Sequence, residues 1–314
     1  MSLLKAPWSE ENNGRQMIQI SAPAKLNLFL QVTGKRLDGY HELFTLMCPL
    51  GLSDDVRIAP IKSGIRIACS NPTVPTDDSN TAHQAAEIFI RHHARCRGGT
   101  SLGVDITLTK RIPVGAGLGG GSSDAAAVLI GLNKHCGYPF RRAELMQMGL
   151  EIGADVPFFI FGQPAIATGI GECLVPYRNL TAYIVLLLYP GISVSTAEVY
   201  KNLDLGLTNC EKKLKDHALK DGPFDAAYHL CNDLETVTLA RYPQVKAAKT
   251  AVSGCGARGV LMSGSGSTVF GLFENTSAAL QAMRTLDLEK NNAPDWMLFL
   301  TELIVAADDS RQFR

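Results

Sequence analysis

A glycine-rich segment at residues 113–124 constrains this chain more than any other feature, because five of its twelve residues are glycine. Glycine adopts positive φ angles and lets the backbone approach a ligand closely. Alternating apolar residues at 104–108 predict a strand before the segment, and a helical apolar pattern begins at Ala125. The unpaired N–H groups and the dipole of a helix N-terminus favour an anion there. The segment therefore predicts a phosphate-binding loop and not a flexible linker.

The helix after the loop has its own start and stop signals. Ser122, Ser123 and Asp124 are predicted to cap its first turn, and Gly137 with Pro139 is predicted to end it. Two other nucleotide-binding patterns fit this region poorly. No Lys-Ser or Lys-Thr pair closes the loop, as a Walker A motif requires. A G-x-G-x-x-G pattern is present, but no second strand ending in an acidic residue follows, which disfavours a dinucleotide-dependent oxidoreductase.

Composition limits the partners of this 314-residue chain. Its formal net charge is zero, so we expect neither a nucleic-acid partner nor an anionic membrane surface attracted by bulk charge. The longest apolar run, residues 183–189, is too short to span a bilayer, and the N-terminus lacks the apolar stretch of a secretory signal. A cytoplasmic location is predicted. The eight cysteines are scattered without a CxxC pair, which predicts reduced thiols and neither a zinc site nor a disulfide framework.

The order of elements predicts an α+β protein of two domains. Residues 1–16 form a predicted flexible extension, residues 17–178 a first domain that contains the loop, and residues 179–314 a second domain. Two separate strands are predicted at 17–21 and 26–33. The last third follows a β-α-β-β-α-β order, which is typical of a split βαβ domain.

Two charged residues in apolar surroundings are candidates for chemistry. Lys25 precedes an apolar strand, although a lysine extending its ammonium to solvent at a strand edge is the more ordinary interpretation. Asp155 precedes Val156–Pro157, where it could be a helix N-cap or a general base beside a phosphate site. The sequence alone does not bring the two together. Tyr40 and His41 follow a turn at Gly39 and hint at recognition of a ring.

These residues resemble the GHMP kinase superfamily of small-molecule kinases, and the resemblance covers nearly the whole chain from about Ser21. Three motifs carry it: Pro-Ala-Lys-Leu-Asn at 23–27, the glycine loop at 113–123, and Ser-Gly-Ser-Gly-Ser at 263–267. A narrower resemblance is to the branch that acts on a cytidylated sugar alcohol. It rests on Gly-Tyr-His at 39–41, the triple glycine with Ser-Ser-Asp at 119–124, Gly-Ala-Asp-Val-Pro at 153–157 and Asn-Asp-Leu-Glu at 232–235.

The resemblance implies an N-terminal βαβ-containing ATP domain, a C-terminal split βαβ (ferredoxin-like) domain and an active site in the cleft between them. It implies transfer of a phosphoryl group from ATP, with Mg²⁺, to the 2-hydroxyl of a cytidine diphosphate-linked methylerythritol in non-mevalonate isoprenoid biosynthesis. A monomer and a homodimer both stay open. The alternatives are a kinase of the mevalonate or homoserine type, which Gly39–Tyr40–His41 disfavours because those acceptors carry no base, and a non-catalytic nucleotide-binding protein.

The resemblance also implies a role for individual residues. Asp155 matches the family's catalytic base, and Lys25 matches its partner. The expected substrate contacts are Asn27, Tyr40, His41, Thr196 and Tyr200, of which Tyr40, His41 and Tyr200 are expected at the cytosine. The expected ATP-binding residues are Pro113, Val114, Gly115, Ala116, Gly117, Leu118, Gly119, Gly120, Gly121, Ser122 and Ser123.

Overall fold

The computed structural model describes residues 17–97, 102–207, 210, 223–289 and 295–305. The predicted extension at 1–16 lies outside the described residues. Two β-sheets with flanking helices form the described part, so the predicted α+β class is confirmed. Within the described ranges, the structure contains no helix with the length and apolar character needed to cross a bilayer.

Among the described residues, the first sheet has seven strands, six of which lie between residues 18 and 176. Its main order is β3-β4-β2-β1-β8, and β5 pairs with both β2 and β6. The strands β3 and β4 are parallel and are joined by a helix, which gives the predicted βαβ unit. The strands are β1 (Ile18–Lys35), β2 (His41–Ile61), β3 (Ile65–Cys69), β4 (Gly103–Thr109), β5 (Ala165–Gly169), β6 (Cys173–Pro176) and β8 (Cys231–Asn232).

The prediction of two separate strands at the start of the chain is wrong, because β1 is one continuous strand. It pairs with β2 along its whole length, and the register shifts between Pro23 and Lys25 and again between Asn27 and Phe29. Such bulges accommodate an extra residue without ending the strand. Lys25, which falls between the two predicted strands, therefore lies in the middle of a buried strand.

In the part of the chain that the structure describes, four helices accompany the first sheet. The two longest of them, the first and second in chain order, pack against each other, and the second is buried from Ser123 to Asn133. Small alanine side chains allow this second helix to lie close to β1 and β2. The helices are α1 (Thr81–Arg97), α2 (Gly120–His135), α3 (Arg142–Leu150) and α4 (Val156–Phe161).

The start of α2 differs from the prediction. The helix begins at Gly120, and its N-cap is Gly119, whose φ of 73° is in the left-handed region. Ser123 and Asp124 are buried within the first turns and do not cap it. The first turn therefore belongs to the glycine-rich segment itself, which places backbone N–H groups of that segment at the helix N-terminus.

The second sheet has four antiparallel strands in the order β11-β7-β10-β9. This order and the helices between its strands confirm the predicted split βαβ arrangement. The strand β8 pairs with β1 of the first sheet although it belongs to the C-terminal half, and the boundary at 178/179 stays a prediction. The remaining elements are β7 (Ile184–Tyr189), α5 (Thr196–Lys201), a 3₁₀ turn (Leu205–Leu207), α6 (Ala226–His229), α7 (Glu235–Arg241), α8 (Pro243–Ser253), β9 (Gly259–Met262), β10 (Val269–Phe273), α9 (Thr276–Glu289) and β11 (Met297–Glu302).

The cysteines differ from the expectation of reduced thiols at one place. Cys210 and Cys231 form a buried disulfide, with their Cα atoms 5.6 Å apart. The scattered spacing concealed this pair because the fold brings the residue at 210 beside β8. The other six cysteines are free thiols, as expected.

Candidate active site

A cleft of about 1130 Å³ collects nearly all the residues that the sequence singled out. It is lined by Lys25 and Asn27 of β1, by Tyr40 and His41 at the hairpin between β1 and β2, and by Asp155. Thr196 and Tyr200 of α5 also line it, together with every residue of the glycine loop from 113 to 122. Ser123 is the exception, since its side chain is buried behind the loop. Residues distant in sequence therefore share one cavity.

The glycine loop packs directly against the second glycine-rich segment at 263–267. The hydroxyl of Ser263 donates to the carbonyl of Gly117 at 3.0 Å, and the amide of Thr268 donates to the carbonyl of Ala116 at 3.1 Å. Gly117 has a φ of 77°, and a Cβ atom there would overlap the carbonyl oxygens of Ser263 and Gly266. The two segments thus require glycine because their backbones touch.

Lys25 and Asp155, which the sequence could not bring together, form an ion pair in the cleft. The distance from Lys25 Nζ to Asp155 Oδ2 is 3.5 Å. The Lys25 side chain is buried, whereas the Asp155 side chain is 37% exposed to the cavity. Asp155 is the N-cap of α4 but makes no side-chain cap hydrogen bond, so its carboxylate is available to a ligand.

A chain of hydrogen bonds fixes Lys25 from the other side. Its ammonium donates to Asn27 Oδ1 at 2.5 Å, and Asn27 Nδ2 donates to the Thr45 hydroxyl at 2.9 Å. That hydroxyl donates in turn to the carbonyl of Phe29 at 2.6 Å. The Thr45 hydroxyl donates its single hydrogen to a carbonyl, so it can only accept from the Asn27 side-chain amide. The NH₂ group of Asn27 therefore faces Thr45, and its amide oxygen faces Lys25. Buried polar side chains of this kind are stable only when every member is paired.

Two aromatic rings form a stacked pair at one end of the cleft. The ring centroids of His41 and Tyr200 are 5.0 Å apart, with planes inclined by 26°. Partial burial, and after it the positive charge of Lys35, lowers the pKa of His41, so its imidazole is mostly neutral at pH 7. Burial, with a smaller effect of the Asp155 charge, raises the pKa of Tyr200 and keeps its hydroxyl protonated. Tyr40 is 60% exposed beside them.

Helix α5 is hydrogen-bonded to the second glycine-rich segment. The hydroxyls of Thr196 and Ser265 are 2.7 Å apart, and the Thr238 hydroxyl donates to the carbonyl of Ser265 at 3.0 Å. Ser195 caps α5 by accepting from the amide of Glu198. Thr196 and Tyr200 thereby lie on a fixed helix at the cavity wall.

Several residues that shape the site had no predicted role. Thr45 lies within an ordinary strand pattern, and its hydrogen bond with Asn27 depends on the β1–β2 register, in which Asn27 is opposite Met47 and Thr45 is opposite Leu30. Asn232 belongs to the Asn-Asp-Leu-Glu segment at 232–235, which resembles the family but had no role predicted for its residues. Its amide donates to the carbonyls of Met262 at 2.9 Å and Gly264 at 2.7 Å and so supports the second glycine-rich segment.

Comparison with known proteins identifies relatives along the chain. The GHMP kinases N terminal domain matches residues 80–163, and the GHMP kinases C terminal region matches residues 217–291. A protein from Geobacter sp. (strain M21), named 4-diphosphocytidyl-2-C-methyl-D-erythritol kinase, is 45% identical over 86% of this chain and 94% of its own length. A protein of the same name from Syntrophotalea carbinolica is 44% identical, over 90% of this chain and 97% of its own length.

Solved structures agree with these sequence matches. A crystal structure of 4-(cytidine 5'-diphospho)-2C-methyl-D-erythritol kinase superposes with a TM-score of 0.72 at 36% identity, covering 91% of this chain and 99% of its own. Homoserine kinase from Cytophaga hutchinsonii superposes with a TM-score of 0.69 at 19% identity, covering 95% of this chain and 97% of its own. The second likeness is one of fold alone.

Proposed function

The chain belongs to the GHMP kinase family and, within it, to the 4-diphosphocytidyl-2-C-methyl-D-erythritol kinases, and on that premise we propose which residues carry each part of the reaction. The activity is ATP-dependent phosphorylation of an alcohol group on a cytidine diphosphate-linked methylerythritol, in isoprenoid biosynthesis. The observation that supports the assignment of residues best is the Lys25–Asp155 ion pair in the same cleft as the glycine loop.

Asp155 is the general base in this proposal. Its carboxylate accepts the proton of the acceptor's 2-hydroxyl as that oxygen attacks the γ-phosphorus of ATP. A new O–P bond forms, the bond from the γ-phosphorus to the oxygen that bridges to the β-phosphate breaks, and ADP leaves. Phosphoryl transfer asks a protein mainly for positioning and charge stabilisation, and a positioned base adds to both.

Lys25 orients this base and stabilises negative charge beside it. Its ammonium lies 3.5 Å from Asp155 and 2.5 Å from the amide oxygen of Asn27, so it is held between two acceptors. A fixed positive charge in a partly buried site favours the oxygen that becomes negative as its proton departs. Asn27, held by Thr45, keeps the ammonium in that place and faces the acceptor from β1.

ATP occupies the glycine loop in this proposal, with residues 113–123 as the binding segment. The backbone N–H groups at the start of α2 and the hydroxyl of Ser122, a half-buried residue that lines the cleft, supply donors to the phosphates. We expect the nucleotide to enter as its Mg²⁺ complex, in which the metal is held chiefly by the phosphates and neutralises part of their charge. Ser123 acts through its backbone, since its hydroxyl faces the interior.

The acceptor's cytosine occupies the end of the cleft with the stacked rings. Tyr40, His41 and Tyr200 offer flat surfaces to a base, and the neutral imidazole of His41 can exchange hydrogen bonds with a neutral ring. Thr196 adds a hydroxyl at the same wall. The chain's cytoplasmic location and its existence as a monomer or homodimer stay expectations from the sequence.

We expect the purified protein to consume ATP with the cytidylated methylerythritol and to use mevalonate or homoserine at least about 10³-fold less efficiently in kcat/KM. The latter two leave the aromatic end of the cleft unfilled, so they lose the interactions that position the hydroxyl. The measurement is coupled ADP release with each acceptor at saturating ATP. Comparable kcat/KM values would contradict the acceptor assignment, and no ADP with any acceptor would favour a non-catalytic nucleotide-binding protein.

The change His41→Ala should raise the KM for the cytidylated acceptor by about tenfold, the effect of losing one stacked aromatic partner of a base. The KM for ATP should stay within about twofold, because His41 belongs to the β1–β2 hairpin and not to the glycine loop. Steady-state kinetics with each substrate varied in turn measures both constants. His92→Ala is the matched control, since His92 pairs with Glu151 and does not line the cleft. Equal changes in both KM values would count against a cytosine role.

A further inference from the structure

Three charged side chains that the mechanism does not use are buried together at the base of the glycine loop. They are Asp54 of β2, Lys110 immediately after β4, and Asp124 of α2. Asp54 is fully buried, and the side chains of Lys110 and Asp124 are only 6% and 4% exposed. Burying charges is unfavourable unless each finds a partner, so a cluster of this kind has to be built from specific contacts.

Both carboxylate oxygens of Asp54 bind groups on three consecutive residues, 110–112. Its Oδ2 atom pairs with Lys110 Nζ at 2.5 Å. Its Oδ1 atom accepts from the backbone amides of Arg111 at 2.5 Å and Ile112 at 2.9 Å. These residues are the last three before the loop begins at Pro113. One carboxylate therefore fixes the direction in which the chain enters the glycine loop.

Lys110 links that entrance to the other end of the loop. Its ammonium also contacts Asp124 Oδ2 at 2.5 Å, and Asp124 follows the last loop residue, Ser123. Burial acts against the charged lysine, but the carboxylates of Asp124 and Asp54 outweigh burial and raise the pKa of Lys110. Burial, with a smaller effect of the Asp54 charge, raises the pKa of Asp124 to about 7 against the opposing effect of Lys110. The Lys110 ammonium therefore stays charged between the two carboxylates.

The loop between these ends is rich in glycine and has little conformational preference of its own. Gly115, Gly117 and Gly119 all have positive φ angles. Lys110 Nζ lies close beneath the first helical turn, 3.4 Å from where a Cβ atom of Gly120 would stand. Ordering a segment with this much conformational freedom costs binding free energy. The loop therefore binds phosphate more tightly if its two ends are held at a fixed separation before the ligand arrives.

We propose that Asp54 is a positioning residue for ATP, which acts through Lys110 and the amides of Arg111 and Ile112 to hold both ends of the glycine loop. The inference rests on the assignment of this loop to ATP made above. Asp54 does not line the cleft, so it acts on the nucleotide only through these neighbours. A merely structural role would lower stability without separating the kinetics of the two substrates.

The test compares Asp54→Asn with Asp55→Asn. The adjacent Asp55 pairs with the side-chain guanidinium of Arg111 at 2.6 Å near the surface, whereas the Lys110 ammonium and the amides of Arg111 and Ile112 contact Asp54, which makes Asp55 a matched control. We expect Asp54→Asn to raise the KM for ATP by roughly 10- to 100-fold and to leave the KM for the acceptor within about twofold. Asp55→Asn should change neither KM by more than about twofold.

A second variant keeps the proposal testable if Asp54→Asn does not fold. Asp124→Asn is isosteric, retains an oxygen for Lys110 and leaves the Asp54 contacts intact, so it should fold and raise the KM for ATP by about three- to tenfold. An unchanged KM for ATP in the folded variants, with a lower melting temperature only, overturns the positioning role. A wild-type protein that binds no ATP in a direct titration overturns the proposed function itself, which separates the two failures.

Discussion

Replacing Asp155 by asparagine should lower kcat by roughly 10²- to 10⁴-fold, the usual contribution of a positioned general base. Asparagine has the same shape but cannot accept the hydroxyl proton, so phosphoryl transfer would have to proceed with the proton lost to solvent. The Kd for ATP should stay within about twofold, because the glycine loop and not Asp155 binds the phosphates in the proposed function. Single-turnover kinetics and a nucleotide titration measure the two quantities separately.

The fold should tolerate this change, which makes the kinetic result interpretable. Asp155 is the N-cap of α4, its side chain makes no capping hydrogen bond, and asparagine is as good an N-cap residue as aspartate. Asp225→Asn is the control: Asp225 is also an N-cap, accepts from the amide of Ala227 at 2.8 Å and does not line the cleft. It should leave kcat unchanged. An Asp155→Asn protein with near-normal turnover would remove Asp155 from the mechanism.

The sequence was most informative where local pattern and local structure coincide. The alternation at 104–108 and the glycine-rich segment predicted a strand, a loop and a helix, and all three are present as β4, the loop and α2. The order of strands in the C-terminal half was likewise predictable, because its strands and helices are short and separated by clear turns. The start of α2 was misplaced by five residues, since glycine is a poor helix former and its place in a first turn has no propensity signal.

The sequence was least informative where the site depends on register and long-range pairing. Lys25 falls between the two predicted strands at 17–21 and 26–33, and only the bulged pairing of β1 with β2 shows that it lies inside one strand. Thr45 meets Asn27 because of that register. Asp54 and Lys110 are 56 residues apart, and no spacing rule connects them. The position of Lys110 between the carboxylates of Asp54 and Asp124 follows only from the packing of β2, β4 and α2 against one another.

Replacing Gly117 by alanine should lower kcat/KM for ATP by about 10²-fold or more, because a misplacement of the phosphate loop of about 1 Å is enough for such a loss. The left-handed backbone at Gly117 disfavours any other residue by about 1–2 kcal/mol. In addition, the new Cβ atom would lie 2.7 Å from the carbonyl oxygen of Gly266 and closer still to that of Ser263. Both are backbone atoms, so the loop and the second glycine-rich segment would have to separate.

Gly137→Ala isolates the effect of that separation. Gly137 has a φ of 78°, close to the 77° of Gly117, but a Cβ atom there would meet nothing within 4 Å. It should therefore carry the same backbone strain, lower the free energy of unfolding by about 1–2 kcal/mol and leave the kinetics unchanged. Denaturant unfolding and ATP-dependent kinetics of both variants measure the difference. Because carbonyl oxygens of the second glycine-rich segment supply the clash at Gly117, normal kcat/KM for ATP in both variants would show that the loop and this segment move apart without consequence for ATP.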